Sequence, residues 1–253
     1  MKKIKVILLS LIIPVTVIIV WSIATARGVA PEAILPSIKS VLNAFRENLA
    51  SGQLAQDLGI SLSRVVKGYF AAVLLGVTLG TVMGMSNNVN HILSLTLNAI
   101  RQIPMMAWIP LIILWFGIDE LSKIVVIILG AFFPIMVNTF SGIRGTPPGY
   151  IEVARLYKLS RWNTFRKVYL PSAIPQIFVG LKLGLGISWM AVVAAELIAS
   201  TEGIGFRISD ARSMMKPDIV IMGMVVIGMV GIVMDKLLTF VSKKSTPWIG
   251  NKG

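Results

Sequence analysis

Tyr150 to Pro171 reads YIEVARLYKLSRWNTFRKVYLP. It carries five Lys or Arg and a single acid, Glu152, in a chain of 253 residues that is 55% apolar. On a helix, Tyr150, Val153, Ala154 and Tyr157 form one stripe, and Glu152 can pair with Arg155 at i,i+3 on another. Ser160 is placed to cap a second short helix, whose Trp162, Phe165 and Tyr169 form an apolar stripe among Arg161, Arg166 and Lys167. Leu170-Pro171 is expected to break the chain after it. Two readings fit this pattern. One is an interfacial segment held against anionic lipid by bases and aromatics. The other is a docking element that a soluble protein receives in a groove.

The rest of the chain says where this segment lies. Charged residues make up only 14%, against about 25% in an average soluble domain, and the mean hydropathy is +0.82. A soluble domain this apolar would expose aggregating patches, so the expected solvent is a bilayer. The net charge of +13 lies between apolar runs, which favours membrane orientation over nucleic-acid binding. With no cysteine and only His91 as histidine, a Cys/His metal centre or a thiol nucleophile is excluded.

A spanning helix needs about 20 mostly apolar residues. Candidate spans are 4–23, 65–85, 102–118, 122–143, 174–198 and 217–239, and the third holds Pro104 and Pro110. The expected fold is therefore an all-α membrane protein, a polytopic bundle of about six helices. The first apolar run is longer than the roughly 7–15 residues of a signal-peptide core, so it is read as a retained helix. With the N-terminus inside, the segments 1–5, 86–101, 144–173 and 236–253 hold more than half of the 24 Lys and Arg. That excess predicts N-in, C-in. Segment 24–64 then becomes an outer connection. It contains a short amphipathic helix after Pro36-Ser37, with Ile38, Val41, Leu42, Phe45 and Leu49 on one face. Ala72, Gly76, Gly80 and Gly84, four apart, predict close approach by another helix.

At this point the opening stretch resembles the cytoplasmic "EAA" loop of ABC importer permeases. That pattern is Glu-Ala-Ala, three residues, Gly, nine residues, then Ile-x-Leu-Pro. Here it falls on Glu152, Val153 and Ala154, then Lys158, then Val168, Leu170 and Pro171. Lys158 departs most, because glycine at that position would permit a positive φ. Arg101–Lys123 and Ala194–Arg212 are similar to the nitrate, sulfonate and taurine branch, nearest to aliphatic sulfonate permeases, and roughly residues 60–240 fit it. The resemblance implies the type I importer permease fold. It divides the chain into an N-terminal helix with outer segment (1–59), a transmembrane domain (60–240) with coupling loop 144–173, and a cytoplasmic tail (241–253). It also implies a multi-pass protein of a prokaryotic inner membrane. The implied partners are a cytoplasmic ATPase pair, an external solute-binding protein and a second permease copy, most simply an identical one. The ATPase would dock on Glu152, Val153, Ala154, Arg155, Tyr157, Lys158, Leu159, Leu170 and Pro171. The chain has no G-x-x-x-x-G-K-[ST] loop, so ATP hydrolysis is expected on the separate subunit. No cofactor or metal is expected.

Polar groups at membrane depth are candidate pathway residues. These are Asn98, Arg101, Gln102 and Pro104 around the proline-interrupted third span, Asn138, and Glu196 late in the fifth. Lys182 is read as a cation snorkelling to the interface. The expected activity is ATP-driven import of a small anion, with sulfonate or taurine ahead of nitrate or bicarbonate. An ion-coupled secondary transporter is the alternative, although the chain shows few buried acids and no repeat. A membrane enzyme lacks a nucleophile and base set.

Overall fold

The computed structural model describes residues 2–245, and among them every regular element is helical. Three long helices form the frame. They are α3 (Gln53–Met85), α6 (Glu120–Arg144) and α9 (Leu170–Ile198), with α6 in the middle. Lipid tails are as apolar as the helices, so association rests on close packing. The small residues of α3 supply it. Gly68, Ala72, Gly76, Gly80 and Gly84 are all buried, and the facing stripe of α6 is Ile127, Ala131, Ile135, Thr139 and Ile143. A Cβ on Gly68 or Gly84 would lie 2.7 Å from Ile127 or Ile143, and one on Gly76 2.9 Å from Ile135. The two helices therefore run parallel in constant register. On the other face of α6, Gly142 meets Ala173 and Gly184 meets Ala131, so α9 runs antiparallel.

The polar sequence before residue 65, expected in an outer connection, is part of α3. Asp57, Ser61 and Arg64 are buried in this helix because the start of α6, α9 and the chain after α9 supply their partners. Before it, α1 (Lys2–Ala26) and α2 (Ile38–Ala50) follow expectation in kind. Ser37 caps α2 by accepting from Ser40 N. That helix buries Val41, Ala44 and Asn48 against the bundle, while Leu42 and Leu49 of the expected apolar face are exposed. Trp21 of α1 donates to Pro36 O at 2.9 Å.

The third span is not one helix. α4 (Asn87–Arg101) and α5 (Met105–Phe116) meet at 95° across Gln102–Pro104. Pro104 cannot continue a helix hydrogen-bond ladder and disfavours helical backbone before it. With 12 residues, α5 spans only about 18 Å. It buries Ile109 and Ile112 on α6 and α9.

α7 (Pro148–Leu156) and α8 (Arg161–Thr164) follow α6. The break expected at Leu170-Pro171 is absent. A π turn, Phe165–Tyr169, carries α8 into α9, and Leu170 N bonds to Phe165 O. The wider turn accommodates Pro171, which has no N–H to give. The second loop helix is thus continuous with a frame helix. α10 (Ile204–Ser213) then packs on α9, and α11 (Pro217–Ser245) crosses back antiparallel to α9. The residue-60 boundary falls inside α3. Residues 241–245 belong to α11, and the remainder of the expected tail, 246–253, lies outside the described residues.

The glycine contacts have a measurable consequence. At Gly80 a Cβ would lie 2.5 Å from Met136 O, a backbone atom, whereas at Gly186 it would meet nothing within 4 Å. Gly80→Ala should destabilise the protein by about 1–3 kcal/mol. Gly186→Ala should be neutral or stabilise by up to about 1 kcal/mol. Thermal unfolding in detergent distinguishes the two.

Candidate functional site

Three places combine exposed or polar residues into something more than packing. The first is the end of the bundle at residues 145–169. α7 is the expected amphipathic helix, and its C-terminus has a specific form. Lys158 N donates to Arg155 O at 2.9 Å and Leu159 N to Ala154 O at 3.0 Å. This pair of bonds defines a Schellman motif, which requires a left-handed residue between them. That residue is Lys158, with φ +49. A lysine thus holds the conformation that glycine would adopt without strain. Ser160 caps α8 by accepting from Asn163 N at 3.3 Å.

The hairpin is apolar outside and sealed within. Leu156 and Tyr157 are 82% and 78% exposed, and Tyr150, Val153 and Trp162 are exposed beside them. A groove of about 730 Å³ runs along α7 between Tyr150, Val153, Tyr157, Val168 and Pro175. Glu152, Arg155 and Lys158 are exposed, Leu159 and Leu170 half-buried, and Pro171 exposed. Glu152 and Arg155 make no ion pair among the described residues. Ala154 is buried, 2% exposed, so its small side chain serves the packing of the hairpin and leaves the outer surface to its neighbours.

The second place is a cavity of about 350 Å³ beside the α4–α5 bend. Arg101, Pro104 and Asn138 line it together. Asn98 and Gln102 are exposed and lie outside its lining. Asn138 donates to Pro134 O of its own helix at 2.8 Å, not to another helix. Arg101 has no hydrogen bond or ion pair within the described chain. Lys182, expected to snorkel, is exposed and pairs with Asp235 of α11 at 3.1 Å.

The third is a buried polar knot at the opposite end of the frame, and here lies Glu196. It is 1% exposed and accepts from Ser61 Oγ, Arg64 Nη1 and Gly205 N. Arg64 also donates to Glu120 and to Glu202 O. Asp57 accepts from Gly203 N and Arg207 Nε. The N-terminal amides of α10 thus end on Asp57, Ser61 and Glu196, as orphan helix donors require. Gly203 sits at φ +107, and a Cβ there would lie 2.5 Å from the Glu196 carboxyl. Lys123 donates to Ile118 O and Asp119 O, closing the α5–α6 turn. Sequence reasoning singled out Glu196 but missed Arg64, Ser61 and Asp57. The available signal was their spacing, which puts Asp57, Ser61 and Arg64 on the glycine-bearing face of a helix already predicted from residue 65.

A membrane bundle with a broken helix beside a cavity, and an exposed hairpin at one end whose second helix continues into the frame, has the architecture of a transport subunit. The comparisons narrow the class: the chain belongs to the binding-protein-dependent transport system inner membrane component family, whose model matches residues 54–246. It is 37% identical over 238 residues to the putative aliphatic sulfonates transport permease protein SsuC of Bacillus subtilis, covering 94% of this chain and 86% of that one. It is 36% identical to the taurine transport system permease protein TauC of Escherichia coli, covering 91% and 85%. Against the nitrate import permease protein NrtB of Leptolyngbya laminosa the figures are 37%, 85% and 78%. Among solved structures it is similar to an amino acid ABC transporter, with a TM-score of 0.65 at 17% identity over 79% of this chain and 97% of that one. The inward-facing methionine transporter MetNI gives 0.63 at 16% identity, covering 76% and 97%. The fold is thus the type I importer permease fold. The chain is a non-catalytic membrane subunit, with ATP hydrolysis belonging to a separate one.

Two substitutions probe these places. Glu196→Ala leaves Arg64 buried with half its counter-charge, and should cost about 3–5 kcal/mol, read as lost thermal stability. Lys158→Gly should stabilise the protein by about 1 kcal/mol, because glycine adopts the left-handed conformation without the Cβ penalty.

Proposed function

We propose that this chain forms the translocation path of an ATP-driven importer for a small anionic solute, sulfonate or taurine before nitrate or bicarbonate. It works as a homodimer, with N- and C-termini and the 145–169 hairpin in the cytoplasm. A cytoplasmic ATPase pair grips the hairpin, and an external solute-binding protein delivers to the other end. The single observation that carries this reading is the hairpin itself. Its apolar residues Val153, Leu156 and Tyr157 are exposed, while its second helix runs without a break into α9. A partner that displaces the hairpin would therefore displace a frame helix.

The contact set proposed for the ATPase is Glu152, Val153, Arg155, Tyr157, Lys158, Leu159 and Pro171. Ala154 and Leu170 support it from within. Arg101, Pro104 and Asn138 are proposed to line the path, with Asn98 and Gln102 near its approach on α4. Glu196, first considered for the path, is proposed to hold the frame, since both its oxygens are engaged. The positive-inside excess of Lys and Arg supports the orientation. The family does not favour an ion-coupled mechanism.

In a complex reconstituted with its ATPase and binding protein, Tyr157→Asp should release the ATPase and cut uptake at least tenfold. Membrane insertion should remain normal. A cysteine at Val153 should crosslink to the ATPase. Full copurification and uptake in the Tyr157 variant would overturn the docking assignment.

A further inference from the structure

The cavity at the α4–α5 bend is chemically lopsided. Arg101 is the single charge in its lining, and the Asn138 amide and the indole N–H of Trp108 are the other polar side-chain groups. One hydrogen of the Asn138 amide is already given to Pro134 O. The walls are otherwise apolar, with Trp108, Phe133, Met105 and Ile187 prominent among them. A compact inorganic oxyanion entering such a site would exchange its hydration for these few donors and gain nothing from the apolar walls. An anion with an apolar body meets the same guanidinium and also removes apolar surface from water. Each methylene so buried is worth roughly fourfold in affinity. The volume of about 350 Å³ falls within the range of organic-ligand sites, roughly 300–1,000 Å³.

We propose that Trp108 and Phe133 make this cavity a selectivity site, in which Arg101 takes the head of an organic anion and the aromatic pair takes an apolar body of a few carbons. The membrane subunit then discriminates by itself, favouring alkane-type anions over nitrate or bicarbonate. The inference rests on the reading that this cavity belongs to the translocation path. It goes beyond that reading by assigning the selection to two residues.

The test is equilibrium binding of radiolabelled 1-butanesulfonate and of nitrate to the purified permease–ATPase complex without the solute-binding protein. Butanesulfonate should bind at least tenfold more tightly than nitrate. The double variant Trp108→Ala, Phe133→Ala should lower butanesulfonate binding at least tenfold and leave nitrate within twofold. Trp108→Leu, which keeps an apolar wall, should retain most of the preference and control for folding. Arg101→Gln should weaken both anions. Equal binding of the two anions, no butanesulfonate binding, or an unchanged preference in the double variant would overturn the proposal. Uptake of butanesulfonate by the complete complex, measured with and without ATP in the same preparation, judges the transport reading separately.

Discussion

Helices in hydrocarbon gain little from hiding apolar side chains from one another, so what holds this bundle is how near their backbones can come. The repeat of small residues on α3 sets that distance. Three isoleucines of α6, eight residues apart, sit over three glycines of α3 with the same spacing, and any side chain at those glycines would push the helices apart. Because both stripes repeat at the same interval, the contact fixes rotation and register as well as separation. The antiparallel contact with α9 uses glycines of both helices in the same way. A frame built so closely has little room to repack inside.

The remaining helices are packed less closely. α4 has no buried residue, and α5 is held mainly by Ile109 and Ile112. The bend between them leaves a cavity at the frame's side instead of another tight contact. At one end of the frame, the knot around Arg64 ties α3, the start of α6, the end of α9 and the start of α10 together. At the other end, the π turn ties the exposed hairpin to α9. Force applied at the hairpin therefore enters a stiff element. The α4–α5 arm lies outside this tight packing, next to the residues proposed to meet the solute.

Much of this was legible in the sequence, and the failures share a cause. Length and hydropathy identify α1, α6, α9 and α11, and the glycine spacing on α3 announces a close partner. The Ser37 and Ser160 caps can be read from one residue and its distance to an apolar stripe. The start of α3 was misplaced by more than ten residues because Asp57, Ser61 and Arg64 look like water-seeking residues. Their partners are Glu120 and residues beyond 195, and no local pattern predicts that the chain returns to neutralise them. The Leu170-Pro171 break failed for a related reason. Proline removes one donor, but a π turn re-routes the ladder around it, and that depends on the helices packed nearby. Lys158 shows the reverse case. The motif demanded a left-handed residue there, and the hairpin keeps that conformation even though lysine is a poor occupant.

Arg64 and Arg101 show why burial and partners, not charge alone, decide what a cation at membrane depth means. Arg64 is 2% exposed and directs its donors to two carboxylates and a carbonyl. Removing any of these would strand a charge in a medium that cannot solvate it. A group so engaged is held within the frame, and the Glu196 carboxylate is hydrogen-bonded there as well. Arg101 is exposed, unpaired within the described chain and at the edge of a cavity. Its hydrogen-bonding capacity is unspent, which is costly unless water or an anion uses it. Both residues satisfy the simple rule that intramembrane charge marks function. Only the second keeps donors free for recognition, so the same rule points to the frame for Arg64 and supports the proposed place of Arg101 on the path.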